Sequence, residues 1–338
     1  MVAKLSDVAA LAGVSVTTVS RVINNYGSLS QKTINKVHEA MRELHYQPNA
    51  MARSLQGKSS QFIGLIFPNM ENPFFTALAS EIEQQLFELG YKVIIATSAN
   101  NVEKERQYLQ MLAANQVEGI ITSSHNLGIG EYQNTFLPIV SYDRYLADNV
   151  PIVSEDNEQG GYLAGEYLLS TGAKRLLMLS DDDGSESPTH QRYAGFLRAT
   201  QQNSIPVVRQ NYSLQGFATS KDIDNMVSYI IKNGIEGVFA YNDVAAIQLE
   251  NALQKAGKRV PEDINIIGYD GTPIVRRLHP NLPTIVQPIA AAASQLIEVL
   301  FALIKTPRTT MTPDSLLPVS LYLPKDKFLV TFRRGKCF

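Results

Sequence analysis

KLSDVAALAGVSVTTVSRVIN, residues 4–24, predicts two short helices joined by a tight turn. Ser6 or Asp7 is suited to cap the first helix, and Ser15 to cap the second. Gly13 falls at the turn, where glycine adopts the positive φ that other residues avoid. The apolar positions expected to hold the helices together are Leu5, Val8, Ala9 and Val19. These residue types at these spacings are typical of a helix-turn-helix.

The second helix presents small hydroxyl residues and one arginine on its outer face, which suits the major groove of DNA. We expect Val16, Thr17 and Arg21 to contact bases. The residues expected to contact the DNA backbone are Ser6, Thr18, Asn24 and Tyr46, and the predicted DNA-contacting set of this region also includes Leu5, Ser15 and Ser20. The local spacing alone also fits an ordinary helical hairpin, so the rest of the chain has to decide.

Charge is unevenly distributed along the chain. Residues 1–60 contain seven Lys and Arg against three Asp and Glu, whereas the whole 338-residue chain contains 30 and 32. A basic N-terminal part before an acidic remainder indicates that only the first part meets a polyanion. The single cysteine, Cys337, excludes an intramolecular disulfide, and no apolar run approaches the ~20 residues of a membrane span. Because no signal-peptide pattern is present, we expect a cytoplasmic protein without a membrane partner.

Two further segments complete the N-terminal part. Ser30 opens a predicted third helix over residues 31–44. Its apolar residues at helical spacing are Ile34, Val37, Met41 and Leu44. Residues 49–57 run from a capping asparagine to a terminating glycine and fit a helix too short to be stable alone in water. The same residues also fit a plain linker.

From Gln61 onward, short β-rich runs alternate with helical stretches, which predicts parallel βαβ units. The predicted strands are 62–68, 91–98, 117–124, 138–144, 175–181, 207–212, 237–243, 264–271 and 316–324, and the predicted helices include 75–89, 102–115 and 289–304. The pattern occurs twice and therefore predicts a core of two α/β lobes. We expect the chain to cross between the lobes near residues 160, 288 and 322.

Ligands of open α/β sheets bind at the carboxyl ends of the strands, and in a two-lobed core these ends meet in the cleft. The candidates at these ends are Asn72, Asp143, Asn242, Asp243 and Asp270. Carboxylates and amides of this kind bind pairs of sugar hydroxyls. Asp243 is equally suited to cap the helix that follows it.

The sequence predicts neither an enzyme nor a cofactor or metal site. It contains no Walker loop and no GxGxxG, GxSxG or HExxH motif, and its five histidines lack metal-ligand spacing. The acidic run 181–183 reads as a solvated loop. Cleft carboxylates could perform glycosidase chemistry, but a hydrolase has no use for a DNA-reading segment.

Taken in order along the whole chain, these motifs resemble the LacI/GalR family of bacterial transcription regulators, whose N-terminal signature matches residues 5–24 almost throughout. The resemblance implies an all-α helix-turn-helix headpiece followed by an α/β two-lobed, periplasmic-binding-protein-like core with parallel sheets. The implied parts are a headpiece over 1–48, a hinge helix and linker over 49–60, and a core over 61–338, with its first lobe at about 61–160 and 289–321 and its second at about 161–288 and 322–338.

The resemblance also assigns roles to residues that the spacing alone does not. In the hinge helix, Leu55 is the apolar wedge that enters the minor groove, with Asn49, Ala52 and Arg53 beside it. The positions that resemble effector contacts of the family are Phe74, Phe75, Thr189, His190, Arg192 and Phe217. Phe75 fits a core position equally well.

ARSLQGKS (52–59), GLIFPN (64–69) and ANQVEGIITSSHNLGI (114–129) further resemble the sucrose-operon repressors of Gram-positive bacteria. We interpret the last segment as a surface helix and strand away from the cleft, which indicates kinship rather than ligand chemistry. The implied function is a homodimeric repressor that binds a near-palindromic double-stranded DNA operator and is controlled by a small sugar, sucrose or a fructose-containing derivative. Two alternatives are a repressor for ribose or another sugar, and a carbon-catabolite regulator with a phosphoprotein corepressor.

Overall fold

The computed structural model describes residues 3–24, 26–47, 59–115, 117–126, 128–180, 187–201, 205–211, 220–306 and 316–324. The chain forms two compact units, residues 1–60 and residues 61–338. Five residues with predicted roles lie outside the described ranges, namely Asn49, Ala52, Arg53, Leu55 and Phe217. Their roles therefore stay predictions.

In its described residues, the first unit contains three short helices: α1 (Leu5–Ala12), α2 (Val16–Ile23) and α3 (Gln31–Glu43). Ser15 and Ser30 cap α2 and α3 as predicted, because each hydroxyl accepts a backbone N–H from the first turn, at 3.1 and 3.2 Å. The predicted cap of α1 is wrong. Lys4 is the N-cap, and Asp7 accepts the Lys4 backbone N–H at 2.8 Å from inside the first turn. The buried core of this unit is Val8, Ala9, Ala12, Val19, Val22, Val37 and Ala40.

The first lobe of the second unit is built on a five-stranded parallel sheet with the order β2-β1-β3-β4-β5. Its strands are β1 (Phe62–Phe67), β2 (Lys92–Thr97), β3 (Gly119–Thr122), β4 (Ile139–Tyr142) and β5 (Ile152–Val153). Its helices within the first half of the chain are α4 (Pro73–Glu88), α5 (Val102–Ala114) and α6 (Glu131–Asn134). The alternation of strand and helix is the one that the sequence predicts.

The second lobe is built on a sheet whose described strands number six, in the order β11-β10-β9-β8-β6-β7; of their pairings, that of β10 with β11 is antiparallel and the others are parallel. Its strands are β6 (Leu176–Ser180), β7 (Val207–Asn211), β8 (Gly237–Phe239), β9 (Asn265–Asp270), β10 (Thr284–Val286) and β11 (Ser320–Tyr322). Its helices are α7 (Asn157–Ser170), α8 (Gln191–Gln201), α9 (Ser220–Asn233), α10 (Asp243–Lys255) and α11 (Pro273–Leu278). The two lobes and the headpiece confirm the predicted fold class.

Helix α12 (Ile289–Lys305) returns the chain to the first lobe. Its buried residues Ala292, Leu296 and Leu300 belong to the same apolar cluster as Ile63 of β1. Within the described ranges, no single helix has the length and apolar composition needed to cross a membrane, and one bent pair, α1 with α2, passes that test only when the two are joined.

Two of the three predicted crossing points need correction. The first crossing lies at residues 154–156, not near 160, because α7 already packs in the core of the second lobe through Ala164 and Leu168. The last lies before Ser320, not near 322, because Ser320 and Leu321 pair with β10. The crossing expected near 288 falls between β10 and α12.

Most predicted strands are slightly longer than the observed ones, and the largest error is at 316–324, where only Ser320–Tyr322 is a strand. Strands β5 and β10 were not predicted at all. They contain two and three residues, which is too short for a β-rich run to be recognised.

Candidate functional site

The outer face of α2 presents the residues predicted to read bases. Val16, Thr17 and Arg21 are exposed, although Val16 is apolar. Gly13 has φ +64°, and this left-handed turn sets the direction in which α2 leaves α1. The guanidinium of Arg21 lies 5.9 Å from the centroid of the Tyr26 ring. This face has the shape and donors that a major-groove reader needs.

The other residues of the predicted DNA-contacting set lie in different surroundings. Ser6 is exposed, and Thr18 is half-buried beside the Ser15 cap. Leu5 and Tyr46, by contrast, pack partly against the headpiece core, so this packing explains their apolar side chains without a contact to DNA. Asn24 Nδ2 donates to the backbone oxygen of Ser20 at 2.6 Å, a bond that terminates α2.

In the core, Asp143 ends β4 with φ +51°, a left-handed conformation that aspartate tolerates better than most residues. Its carboxylate accepts the Ser154 hydroxyl and two bonds from Asn157 Nδ2, both at 3.1 Å. Its backbone N–H donates to Val153 O at 3.0 Å. The sheet therefore fixes both the backbone and the side chain of this predicted site residue.

Arg192 of α8 is only 8% exposed, and its guanidinium bonds to the first crossing and to residues of the second lobe. Nη2 donates to Glu155 Oε1 at 2.9 Å, in the first crossing, and Nε donates to Asn157 Oδ1 at 2.7 Å. Nη1 donates to the backbone oxygen of Tyr241 at 3.2 Å, and the guanidinium carbon lies 3.6 Å from the centroid of the Tyr269 ring. Arg192 thus has a fixed position at the carboxyl ends of the second sheet.

The close packing of α7 on α8 sets this position. A Cβ added at Gly161 would lie 1.8 Å from the backbone oxygen of Arg192, and one added at Gly195 would lie 1.8 Å from the backbone oxygen of Glu158. The two helices therefore touch backbone to backbone, which only glycine permits. This contact places Arg192 next to Asn157 at the start of α7.

Asp270 ends β9 with φ +106°, a conformation that only glycine adopts without strain. Its carboxylate accepts Gln287 Nε2 at 2.7 Å, and its backbone oxygen accepts the Gln287 N–H at 3.1 Å. Asn72 of the first lobe also hydrogen-bonds to Asp270, a bond that only partly opposes the rise in the Asp270 pKa that burial causes. Asp270 therefore lies where the two lobes and the second crossing meet.

The structure separates the neighbouring candidates Asn242 and Asp243. Asn242, rather than Asp243, is the N-cap of α10 and accepts the Ala245 N–H at 2.8 Å. Asp243 is 1% exposed, and its two oxygens accept the Thr284 hydroxyl at 2.5 Å and the Gly271 N–H at 2.8 Å. We therefore correct the expected cap, and the Asp243 carboxylate holds β9 and β10 together instead of presenting oxygens to the cleft.

Phe74 and Phe75 lie at the start of α4, where Asn72 caps the helix by accepting the Phe74 N–H at 2.9 Å. Both rings are buried in the core of the first lobe. Phe74 lies 5.7 Å from Tyr142, and Phe75 lies 6.1 Å from His125, measured between ring centroids. They support the residues at the strand ends, and burial explains their apolar character without a ligand.

Thr189 and His190 form a short 3₁₀ turn, Pro188–His190, immediately before α8. Both are half-buried. A cavity of about 10 Å³, the size of one water molecule, lies beside Arg192 and is lined in part by Thr189, His190 and Arg209. The turn thus carries two predicted site residues to the same place as Arg192.

Residues 123–126 belong to the segment 114–129, which we interpreted as a surface helix and strand away from the cleft. That interpretation is wrong, since β3 is fully buried and Ser124 and Asn126 bond to the buried Glu105. Ser124 Oγ and Asn126 Nδ2 donate to Glu105 Oε2 at 2.5 and 2.6 Å, and Tyr132 donates its hydroxyl to Oε1. This network fixes the loop that carries His125 toward Arg144.

Several residues at the strand ends and crossings were missed by sequence reasoning. They are His125, Tyr142, Arg144, Glu155, Asn157 and Gln287. Arg144 directly follows a predicted site residue, so its position at a strand end was a usable signal. Glu155 and Gln287 lie in the crossings, and no local pattern marks a crossing. Among the described residues, no group of three or more His, Cys, Asp or Glu could hold a metal ion.

Three buried carboxyl groups share the single guanidinium of Arg192. Burial raises the pKa of Asp143, and burial together with the charge of Asp143 raises the pKa of Glu155 to about 8 although Arg192 opposes the shift. Burial and the charge of Asp243 raise the pKa of Asp270. Burial also raises the pKa of Asp243 to about 7. Burial outweighs the attraction of Arg192 at each of these three carboxyls, and that of Arg144 at Asp143, so Glu155 keeps its proton at neutral pH.

The raised pKa of Glu155 predicts that the core loses stability as the pH rises. The pKa in the folded protein exceeds the ordinary value of 4.5, so the contribution is fully present below about pH 4.5 and is lost as the pH approaches 8. We expect Glu155→Gln to flatten the pH dependence of the free energy of unfolding between pH 5 and 8, by a difference on the order of 3 kcal/mol. Urea unfolding followed by circular dichroism measures it, since the chain contains no tryptophan.

The matched control is Glu158→Gln on α7, whose carboxylate is half-exposed and pairs with Arg198 at 3.0 Å. We expect its pH profile to follow that of the unsubstituted protein. Parallel profiles for Glu155→Gln and the unsubstituted protein would contradict the assignment of this proton to Glu155.

Comparison with known proteins bears on both sites. Residues 4–49 match the model of bacterial regulatory proteins of the lacI family, and residues 166–323 match a periplasmic binding protein-like domain. The sucrose operon repressor of Pediococcus pentosaceus is 47% identical over 320 residues, which cover 94% of this chain and 97% of that protein.

Two solved structures are similar over most of their length. The lac repressor dimer bound to operator and the anti-inducer ONPF has a TM-score of 0.79 and 27% identity, covering 95% of this chain and 98% of that chain. A periplasmic binding protein/LacI transcriptional regulator from Alkaliphilus metalliredigens, complexed with D-xylulofuranose, has a TM-score of 0.69 and 32% identity, covering 77% of this chain and 97% of that chain.

Proposed function

Because the chain belongs to the lacI family of bacterial regulatory proteins, we propose that it represses a sucrose-utilisation operon under the control of a fructose-containing sugar. As the sequence predicted, it is a DNA-binding transcription regulator and not an enzyme. The regulated operon and the ligand are the proposed part. They rest on the 47% identity to a sucrose operon repressor along almost the whole chain.

The arrangement at the strand ends supports a sugar as the ligand. A buried guanidinium, carboxyl groups and the amides of Asn157 and Gln287 converge where the lobes meet. Such groups donate and accept hydrogen bonds in pairs, as vicinal hydroxyls require. The similar Alkaliphilus protein was solved with a ketofuranose, and a fructosyl unit presents the same type of ring.

The repressor acts as a homodimer that places two α2 helices in successive major grooves of a near-palindromic operator. The lac repressor, which this chain resembles over 95% of its length, was solved as a dimer on its operator. Sugar in the cleft changes the geometry of the lobes and so biases the DNA-bound state. The protein works where the operator is, in the cytoplasm.

The test is fluorescence anisotropy of labelled operator DNA from the upstream region of the gene, at fixed salt, with sucrose, fructose, sucrose 6-phosphate and ribose. We expect sucrose or a fructosyl compound to change operator affinity by roughly 5- to 150-fold, the usual range for coupled sites. A response to ribose alone would mean that ribose, and not sucrose, is the controlling ligand. Tight DNA binding that no sugar changes would favour a phosphoprotein corepressor.

Arg21→Ala should weaken operator binding and relax its sequence specificity, because the exposed guanidinium lies on the DNA-reading face of α2. We expect a loss of about 1–3 kcal/mol on the operator and a much smaller loss on random DNA. Arg198→Ala is the control, since it also removes one arginine, a half-exposed one on α8 of the second lobe, outside the headpiece. Equal losses on both DNAs would mean that Arg21 contacts phosphate and reads no base.

A further inference from the structure

Arg144 makes a contact between the lobes that neither the sequence reading nor the proposed sugar chemistry uses. It follows Asp143 at the end of β4 and is 7% exposed. Its Nη1 crosses to the second lobe and donates to Ser187 Oγ at 2.9 Å and Thr189 Oγ1 at 3.1 Å. This contact lies outside the three crossings, so it depends on how closely the lobes approach.

The other side of the guanidinium is fixed within the first lobe. Arg144 Nη2 lies 2.9 Å from His125 Nε2. Because a guanidinium only donates, His125 Nε2 accepts in this contact and the ring proton is on Nδ1. His125 in turn packs against Phe75, and the Glu105 network holds its loop. Residues of the first lobe therefore fix the position from which Arg144 reaches the second lobe.

The turn that accepts these hydrogen bonds, residues 187–190, directly precedes the helix that carries Arg192. Ser187 Oγ donates to the backbone oxygen of Asp143 at 2.6 Å, and Thr189 Oγ1 donates to Ser187 Oγ at 3.3 Å. The His190 N–H donates to Ser187 O at 3.0 Å and closes the 3₁₀ turn. Helix α8 follows without a break, and Arg192 is its second residue.

We propose that Arg144 is a positioning residue of the effector site: it holds the turn at residues 187–190 on the first lobe and thereby fixes the start of α8. It acts through Ser187 and Thr189 and does not contact the sugar. The role of this contact in sugar binding rests on the proposed function, whereas its role in holding the turn does not.

The first experiment needs no ligand. Hydrogen exchange of the full-length protein is compared between the unsubstituted chain and Arg144→Met, which keeps an unbranched apolar stem but removes every side-chain donor. We expect amides in 187–196 to exchange roughly tenfold faster, because two bonds from a charged donor are lost. Exchange in 31–47 of the headpiece should not change. Unaltered exchange at 187–196 would overturn the proposal.

A double-mutant cycle separates this contact from a general loss of packing. Ser187→Ala removes one acceptor by a small change. Its effect on exchange should be smaller when Arg144 is already methionine, and the effect that remains belongs to the bond from Ser187 Oγ to the Asp143 backbone oxygen. Additive effects would overturn the proposed contact. The matched control is Arg198→Met on α8, whose partner Glu158 lies on α7 of the same lobe. We expect it to leave exchange at 187–190 unchanged.

Sugar titrations by calorimetry then test the role in binding, with sucrose and fructose as the probes. Arg144→Met should weaken both sugars by the same factor, roughly tenfold, with partial recovery in Arg144→Lys. A changed ratio between the sugars would mean direct contact with ligand and would overturn a positioning role. If the unsubstituted protein binds neither sugar, the proposed ligand is wrong, and the exchange experiment still decides the contact.

Discussion

Replacing Gly161 with alanine is expected to lower the free energy of unfolding of the core by at least about 3 kcal/mol, because the new methyl group meets backbone and not a movable side chain. The added Cβ would lie 1.8 Å from the backbone oxygen of Arg192, so α7 and α8 must separate. Separation also moves the Arg192 guanidinium away from Asn157, which it contacts at 2.7 Å. We therefore expect the sugar response to be lost together with stability.

Urea unfolding and the operator-binding assay measure the two effects. Gly130→Ala is the matched control, since an added Cβ there meets only Asn134 Nδ2 at 3.8 Å and the backbone φ is negative. We expect that change to cost less than about 1 kcal/mol. A Gly161→Ala protein of unchanged stability would show that the helices can move apart freely, and that their contact does not set the position of Arg192.

The second large effect is expected for Arg192→Met. The substitution leaves the buried carboxyl groups of Asp143, Glu155 and Asp270 without their shared cation. Removing one partner of a buried ion pair costs about 3–5 kcal/mol, so we expect a loss of this size at pH 8. At pH 5 the loss should be smaller, because the raised pKa values allow these carboxyls to be neutral.

The same variant should lose its response to sugar while retaining operator affinity, since Arg192 lies in the core and the DNA-reading residues lie in the headpiece. Arg198→Met provides the comparison, because its half-exposed pair with Glu158 is worth about 1 kcal/mol or less. An equal loss of stability at pH 5 and pH 8 would contradict the account in which carboxyl charge causes the damage.

Sequence reasoning predicted the parts of the fold that local chemistry controls. Ser15 and Ser30 were identified as caps because the hydroxyl acts within one turn of helix. The long strands were found because parallel strands buried on both faces are continuous apolar runs. Strand β10 has three residues and forms because it pairs with β9 and β11, which are distant in sequence or follow much later. No short stretch of sequence therefore indicates this strand.

The candidate site was predictable where a polar residue ends a recognisable strand, as Asp143 and Asp270 do. It was not predictable where two distant segments meet. Glu155 becomes a site residue only because the crossing brings it to Arg192. The Asp243 carboxylate does not face the cleft, because Thr284 and Gly271 donate hydrogen bonds to its oxygens. Contacts of this kind depend on tertiary geometry rather than on residue spacing.

Tyr142 contacts both of the first two crossings, and this has a consequence for engineering. Its hydroxyl donates to Gln287 Oε1 at 2.9 Å and lies 3.4 Å from Glu155 Oε2, so the two ends of the segment 156–286 meet at one side chain. All strands of the second sheet except β11 lie inside that segment. Most of the second lobe can therefore be exchanged between relatives as one segment. A chimera that takes residues 156–286 from a relative would join the two parent sequences at two points that lie close together in space.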